Sequence, residues 1–147
     1  MRKRSFATLG VLALLAAGSA FGQQRLRYDI PFVFHFGDRV MPAGQYDVST
    51  AVNNVRDVLS LECYACRTNV IATTFPVGGG ANLSGEGRLV FNKYGDTYFL
   101  SEVWTPGYTH GGSLSKSKTE REMARITPAV GRVTVAAGTS HVIIAQR

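Results

Sequence analysis

The sequence predicts a mainly β domain, an antiparallel β-sandwich or partly closed barrel with one short helix near 118–126. Three observations carry that prediction. Apolar and polar residues alternate with period two over most of the chain after residue 25, as half-buried strands require. Turn formers such as Gly37-Asp38, Pro42-Ala43-Gly44 and Gly95-Asp96 separate short runs. Only Ser117-Lys118-Thr119-Glu120 has the Ser-x-x-Glu spacing that opens a helix. Seven or eight strands in one small domain fit a sandwich or barrel. A membrane-spanning barrel needs strands of ~9–11 residues with unbroken alternation, and these runs are shorter and interrupted.

The first residues predict export. Met1-Arg2-Lys3-Arg4 is a basic start, residues 6–17 are largely apolar, and Ala20-Phe21-Gly22 fits a small-x-small cleavage site. That is the pattern of a Sec signal peptide over 1–22, cut after Gly22. The apolar run is too short for a membrane anchor, which needs about 20 such residues, and no later run approaches that length. One β-rich domain, 23–147, remains in a periplasmic or extracellular setting. Removal of Arg2, Lys3 and Arg4 takes the formal net charge from +6 to +3. Those charges are spread along the chain, whereas a nucleic-acid surface concentrates them. Nucleic acid is excluded as a partner on this reading, and no transmembrane segment follows signal cleavage.

The elements follow in order. Tyr28, Ile30, Phe32, Phe34 and Phe36 alternate with other residues and predict one strand with a core-facing aromatic edge. Pro31 removes a backbone donor within it, so this strand is expected at a sheet edge or bulged. After turns at Gly37-Asp38 and residues 41–44, Tyr46 and Val48 share a face of the next strand. Residues 58–63 and 67–77 make two more. The glycine-rich loop at 78–82 lacks the Gly-Lys-Ser/Thr that would make it a phosphate cradle. Ser84-Gly85-Glu86-Gly87 lacks the spacing of a nucleophile elbow. Residues 88–94 and 97–104 form a hairpin over Gly95-Asp96, because glycine reaches the positive φ of a primed turn. Lys118 to Ile126 reads as helix, stopped by Thr127-Pro128. Its apolar stripe is only Met123 and Ile126, so docking on the sheet must hold it. Residues 132–136 and 141–145 close the domain as a hairpin.

Three blocks, "IPFVFHFGDRVMPAGQYDV", "RLVFNKYGDTYFLSEVW" and "SKSKTEREMAR", together resemble a group of short Sec-exported bacterial β-proteins with no assigned activity. The resemblance spans most of the mature chain. It implies a shared fold and export, and carries over no catalytic residue. The Cys63/Cys66 turn departs from that pattern, where polar turn residues are expected.

Cys63 and Cys66 are the only cysteines, and their spacing admits four chemistries. A thioredoxin-type centre needs a helix N-terminus at the first cysteine, but the residues that follow are strand-like. Haem attachment needs histidine after the second, where Arg67 stands. Structural zinc needs four ligands, and His35, His110 and His141 are scattered. An exported disulfide remains. With Tyr64-Ala65 as a two-residue loop, Cys63 faces Cys66 and Glu62 faces Arg67. A bond at such a hydrogen-bonded pair is strained and more readily reduced.

The second candidate site is Trp104, Tyr108 and His110, in a Gly/Pro-rich stretch where aromatic rings can hold a glycan or peptide. A lone tryptophan ending a strand is equally at home in the core. Serines, histidines and acids are present without the spacing that defines a hydrolase. The expected role is therefore an exported, non-enzymatic binding or structural module of the bacterial envelope. Its expected partner is an envelope protein or glycan, with no cofactor, metal or catalytic residue assigned. A periplasmic thiol-disulfide factor and a hydrolase are the alternatives.

Overall fold

The computed structural model describes residues 25–52, 57–78, 85–138 and 142–145. The expected signal peptide, most of the glycine-rich loop and residues 139–141 of the last turn lie outside them. The chain is mainly β. Its strands are β1 (Arg25–Ile30), β2 (Phe34–Phe36), β3 (Arg39–Met41), β4 (Gly44–Val52), β5 (Asp57–Cys63), β6 (Thr68–Val77), β7 (Arg88–Tyr94), β8 (Thr97–Trp104), β9 (Gly111–Ser113), β10 (Ala129–Ala136) and β11 (Val142–Ala145). One helix, α1 (Lys118–Ile126), precedes β10.

The strands run in the order β1-β4-β5-β6-β9-β8-β7-β10-β11, with β2 paired to β3 and to β8. All of these ladders are antiparallel except the β2–β8 contact at His35 and Phe99, which is parallel. β6 joins two halves: Thr68 to Thr74 pair with β5, and Phe75 to Val77 pair with β9. The halves enclose one core. Tyr28, Tyr46, Val48, Leu59, Leu61 and Val70 enter from one side and Leu89, Phe91, Leu100, Val103, Val133 and Val135 from the other. Phe34, Phe36 and Met41 join them from β2 and β3. The sheet is open rather than closed, consistent with a β-sandwich. Between its ends, the Gly138 amide donates to the Arg27 carbonyl at 2.9 Å.

The aromatic run from Tyr28 to Phe36 is two strands, not one. β1 pairs with β4 as far as Ile30 and lies at the sheet edge, and the ladder ends at Pro31, which has no amide to continue it. The chain then crosses the core, so Phe34 packs edge-to-face on Phe91 at 5.3 Å and on Tyr46 at 5.3 Å. Close approach shapes the chain elsewhere. A Cβ on Gly87 would lie 2.5 Å from Leu26 Cδ1 and 2.6 Å from the Tyr28 hydroxyl oxygen. The β7–β8 hairpin forms as expected, with Gly95 at φ +58° in its two-residue turn.

The helix starts and stops where its signals predict. Ser117 Oγ accepts from the Glu120 amide at 3.1 Å, and the Thr127 amide donates to the Met123 carbonyl at 2.8 Å. Its anchor is different from the expected apolar stripe. Ile126 is 82% exposed, whereas Glu120 is buried. Instead of turning back to the Ser117 amide, Glu120 Oε1 accepts from Asn92 Nδ2 at 2.8 Å and from the Tyr94 hydroxyl at 3.2 Å. A charged acceptor buried against two β7 donors therefore docks the helix.

Candidate functional site

The β5–β6 hairpin carries the cysteine pair at its tip. Cys63 and Cys66 are joined by a disulfide, with Cα atoms 5.5 Å apart. The register differs from the two-residue loop. Cys63 pairs with Thr68 and Glu62 with Asn69, leaving a four-residue turn from Tyr64 to Arg67. Arg67 takes φ +50°, which lets the chain re-enter the strand one corner later. Glu62 consequently approaches Arg25, at 3.6 Å, rather than Arg67. The expectation of strain rested on a facing cysteine pair in the ladder, which the chain does not form.

Within the turn, the Cys66 amide donates to Cys63 Sγ at 3.2 Å and Thr68 Oγ1 donates to the Cys66 carbonyl at 3.1 Å. Cys63 is buried in the core, and Cys66 is half-buried against it. Reduction of this small loop is expected to lower the unfolding free energy by about 2 kcal/mol on the chain-entropy model. Urea unfolding with and without dithiothreitol measures it.

Trp104, Tyr108 and His110 do not form one exposed platform. Trp104 is buried at the end of β8, its Nε1 donating to Glu102 Oε2 at 3.0 Å. The Arg88 guanidinium lies 4.7 Å over its ring. Glu102 also pairs with Arg132, so the indole sits in a polar frame that fixes it. Tyr108 and His110 do meet, with ring centroids 6.0 Å apart, and His110 Nε2 is 3.8 Å from Asp57 Oδ2.

A hollow among the described residues lies elsewhere, and no sequence motif marks it. It is a groove of about 640 Å³ between the β2–β3 turn and β6, floored by Leu114 and Ser115. Phe36, Asp38 and Arg39 form one wall; Val70, Ile71 and Ala72 form part of the other. Ile71 is 65% exposed there, an aliphatic residue between Asn69 and Thr73 on the outer side of the strand. Ile71 was the available signal, but only the tertiary fold shows what it borders. A smaller hollow of about 260 Å³ lies over β1, β4, β5 and β6, and its Arg25 and Glu62 pair with each other.

The groove wall is tied to the helix. Asp38 Oδ1 accepts from the Thr119 amide at 3.1 Å and from its hydroxyl at 2.8 Å. These hydrogen bonds hold the Asp38 carboxyl below its ordinary pKa, and Arg121 lowers it further. A carboxyl whose pKa is depressed by folding contributes stability above its unfolded value and loses it as pH falls through the folded value. Acidification below about pH 4 is therefore expected to release Thr119 from the turn. The Thr119 amide shift, followed by NMR from about pH 6 downward, reports that release. A Thr119 amide shift that stays flat while the Asp38 carboxyl itself is seen to titrate would contradict it.

Among the described residues no group of three or more His, Cys, Asp or Glu is placed to hold a metal, and no helix is long and apolar enough to cross a membrane. Compared with known proteins, the chain matches no family model, no curated protein and no solved structure.

Proposed function

We propose that the mature chain is an exported, non-enzymatic β-domain that acts as a binding module of the bacterial envelope, through the groove between the β2–β3 turn and β6. The observation that carries this reading is the groove itself. Its volume, about 640 Å³, lies within the 300–1,000 Å³ typical of ligand sites. Its walls are sheet and a turn pinned to α1, so it is formed before any ligand arrives and binding carries little ordering cost. Export is supported by the basic start and apolar run of the first 22 residues, and by a disulfide suited to an oxidising compartment. The resemblance to short exported bacterial β-proteins points the same way.

The test is an NMR titration of the mature protein with separate panels of peptides, glycans and small metabolites. Binding is expected to shift residues 69–73 and Leu114 without consuming any ligand. Turnover of a ligand, or shifts confined to Tyr108 and His110, would overturn the reading. N-terminal sequencing of exported material is expected to begin at Gln23. An intact Met1 there would overturn the export argument.

A further inference from the structure

β6 is ten residues long, but its two sides are unequally used. Toward β5 it is paired from Thr68 to Thr74. Toward β9 it is paired only from Phe75 to Val77. β9 is three residues long, and beyond it the chain stays on β8, with the Leu114 amide donating to the Ser101 carbonyl at 2.8 Å, and no longer pairs with β6. Residues 69–73 of β6 therefore have no second ladder among the described residues. An antiparallel strand sends successive backbone groups to alternate sides. Two or three residues of this run thus direct amides and carbonyls toward the groove. Across the groove, β3 pairs with β2 alone.

Natural sheets blunt such edges with lysine, proline, bulges or a covering element. Residues 68–73, Thr-Asn-Val-Ile-Ala-Thr, carry no charge and no proline. Among ligands, an extended backbone is the one that matches a row of free strand groups in register, which points to polypeptide as the occupant. Five residues of edge span about 17 Å. The electrostatics narrow the choice further. The two charged residues lining the groove are Asp38 and Arg39. Asp38 is committed to Thr119, whereas Arg39 is exposed and makes no ion pair among the described residues. The free charge on the wall is a cation, complementary to a carboxylate.

We propose that this groove takes an extended peptide segment of another protein, added as a strand to the free edge of β6. Alternate apolar side chains of the segment face Phe36, Ala72 and Leu114, and a carboxylate of the segment meets Arg39. This rests on the reading of the groove as the binding site and names its occupant.

The probe is a randomised heptapeptide library on beads. One arm has free C-termini; the other is amidated and carries one internal aspartate. Selected peptides are then measured by fluorescence anisotropy. Binders are expected to show apolar residues at alternate positions, and the two arms tell a terminal carboxylate from a side-chain one. Methylating alternate peptide amides removes two or three backbone hydrogen bonds and is expected to weaken binding at least about tenfold. Arg39→Glu is expected to weaken it by a similar factor. Ser115→Trp, with its fold verified by circular dichroism, should abolish it.

No heptapeptide binding, or equal binding of the methylated peptides, would overturn strand addition. So would a concentration-dependent dimer of the mature protein that Ser115→Trp dissolves, since the edge would then belong to a second copy. If glycans or metabolites still perturb residues 69–73 in those cases, the binding-module reading stands and only the peptide occupant falls. If nothing perturbs them, both fall.

Discussion

Phe91→Ala is expected to lower the unfolding free energy by about 3–5 kcal/mol, the usual cost of emptying a large aromatic site. Phe91 is fully buried on β7, a strand paired on both sides. Its ring meets Phe32 edge-on at 5.2 Å and Phe34 at 5.3 Å. Phe32 lies in the crossing that follows Pro31 and Phe34 opens β2 at its far end, so the cavity would open where the chain passes between the two halves. Little of it can be refilled, because Phe32 and Phe34 are held by the crossing and by β2 rather than by β7 itself. Phe91→Leu keeps most of the volume and is expected to cost under about 2 kcal/mol. Urea unfolding of the mature protein measures both. A loss under about 1 kcal/mol for the alanine variant would show that this aromatic cluster does not hold the layers together.

Glu120→Ala is expected to cost about 2–4 kcal/mol. The change removes a buried carboxylate and leaves the Asn92 amide and the Tyr94 hydroxyl without their acceptor. Lys116, whose Nζ reaches the Tyr94 hydroxyl at 3.2 Å, loses its setting as well. Glu120→Gln retains an acceptor oxygen and is expected to cost about half as much. The effect should extend beyond stability. With α1 undocked, Thr119 no longer holds Asp38, and the β2–β3 wall of the groove loosens. Thermal unfolding gives the first effect, and exchange broadening of the Asp38 and Arg39 amides gives the second. Wild-type stability with Glu120→Ala would place the helix anchor elsewhere.

How much of this was legible in the sequence depends on how local each feature is. The hairpin from Arg88 to Trp104 was readable because a two-residue turn and two alternating arms specify each other. The helix from Lys118 to Ile126 was readable because its cap and its stop lie within the segment. Glu120 reads as half of a capping box, since sequence spacing cannot show that Asn92 and Tyr94 wait on a strand 26 or more residues away. Gly111 and Gly112 read as the end of the Gly/Pro-rich loop after Trp104, yet Gly111–Ser113 form β9, because their partners on β6 and β8 come from two separate places in the chain. In the cysteine turn the Glu62 and Arg67 charges suggest a pairing that the chain does not make, because Arg67 adopts a left-handed conformation that lengthens the loop. The Trp104 stretch illustrates the opposite limit. Its composition suits a binding loop, but Arg88 and Glu102 enclose the indole. The groove was least legible of all. It exists because β9 is short and the β2–β3 hairpin stands off from β6, a relation among segments that no single motif encodes.

Amide hydrogen exchange of the mature protein tests the open edge of β6 most directly. Alternate amides among residues 69–73 are expected to exchange quickly, because they face the groove rather than β5. Their neighbours, bonded to β5, should be protected as long as the amides of Leu59 and Leu61. Equal, high protection across all five residues in the isolated protein would contradict the account, since it would mean that the edge is already paired.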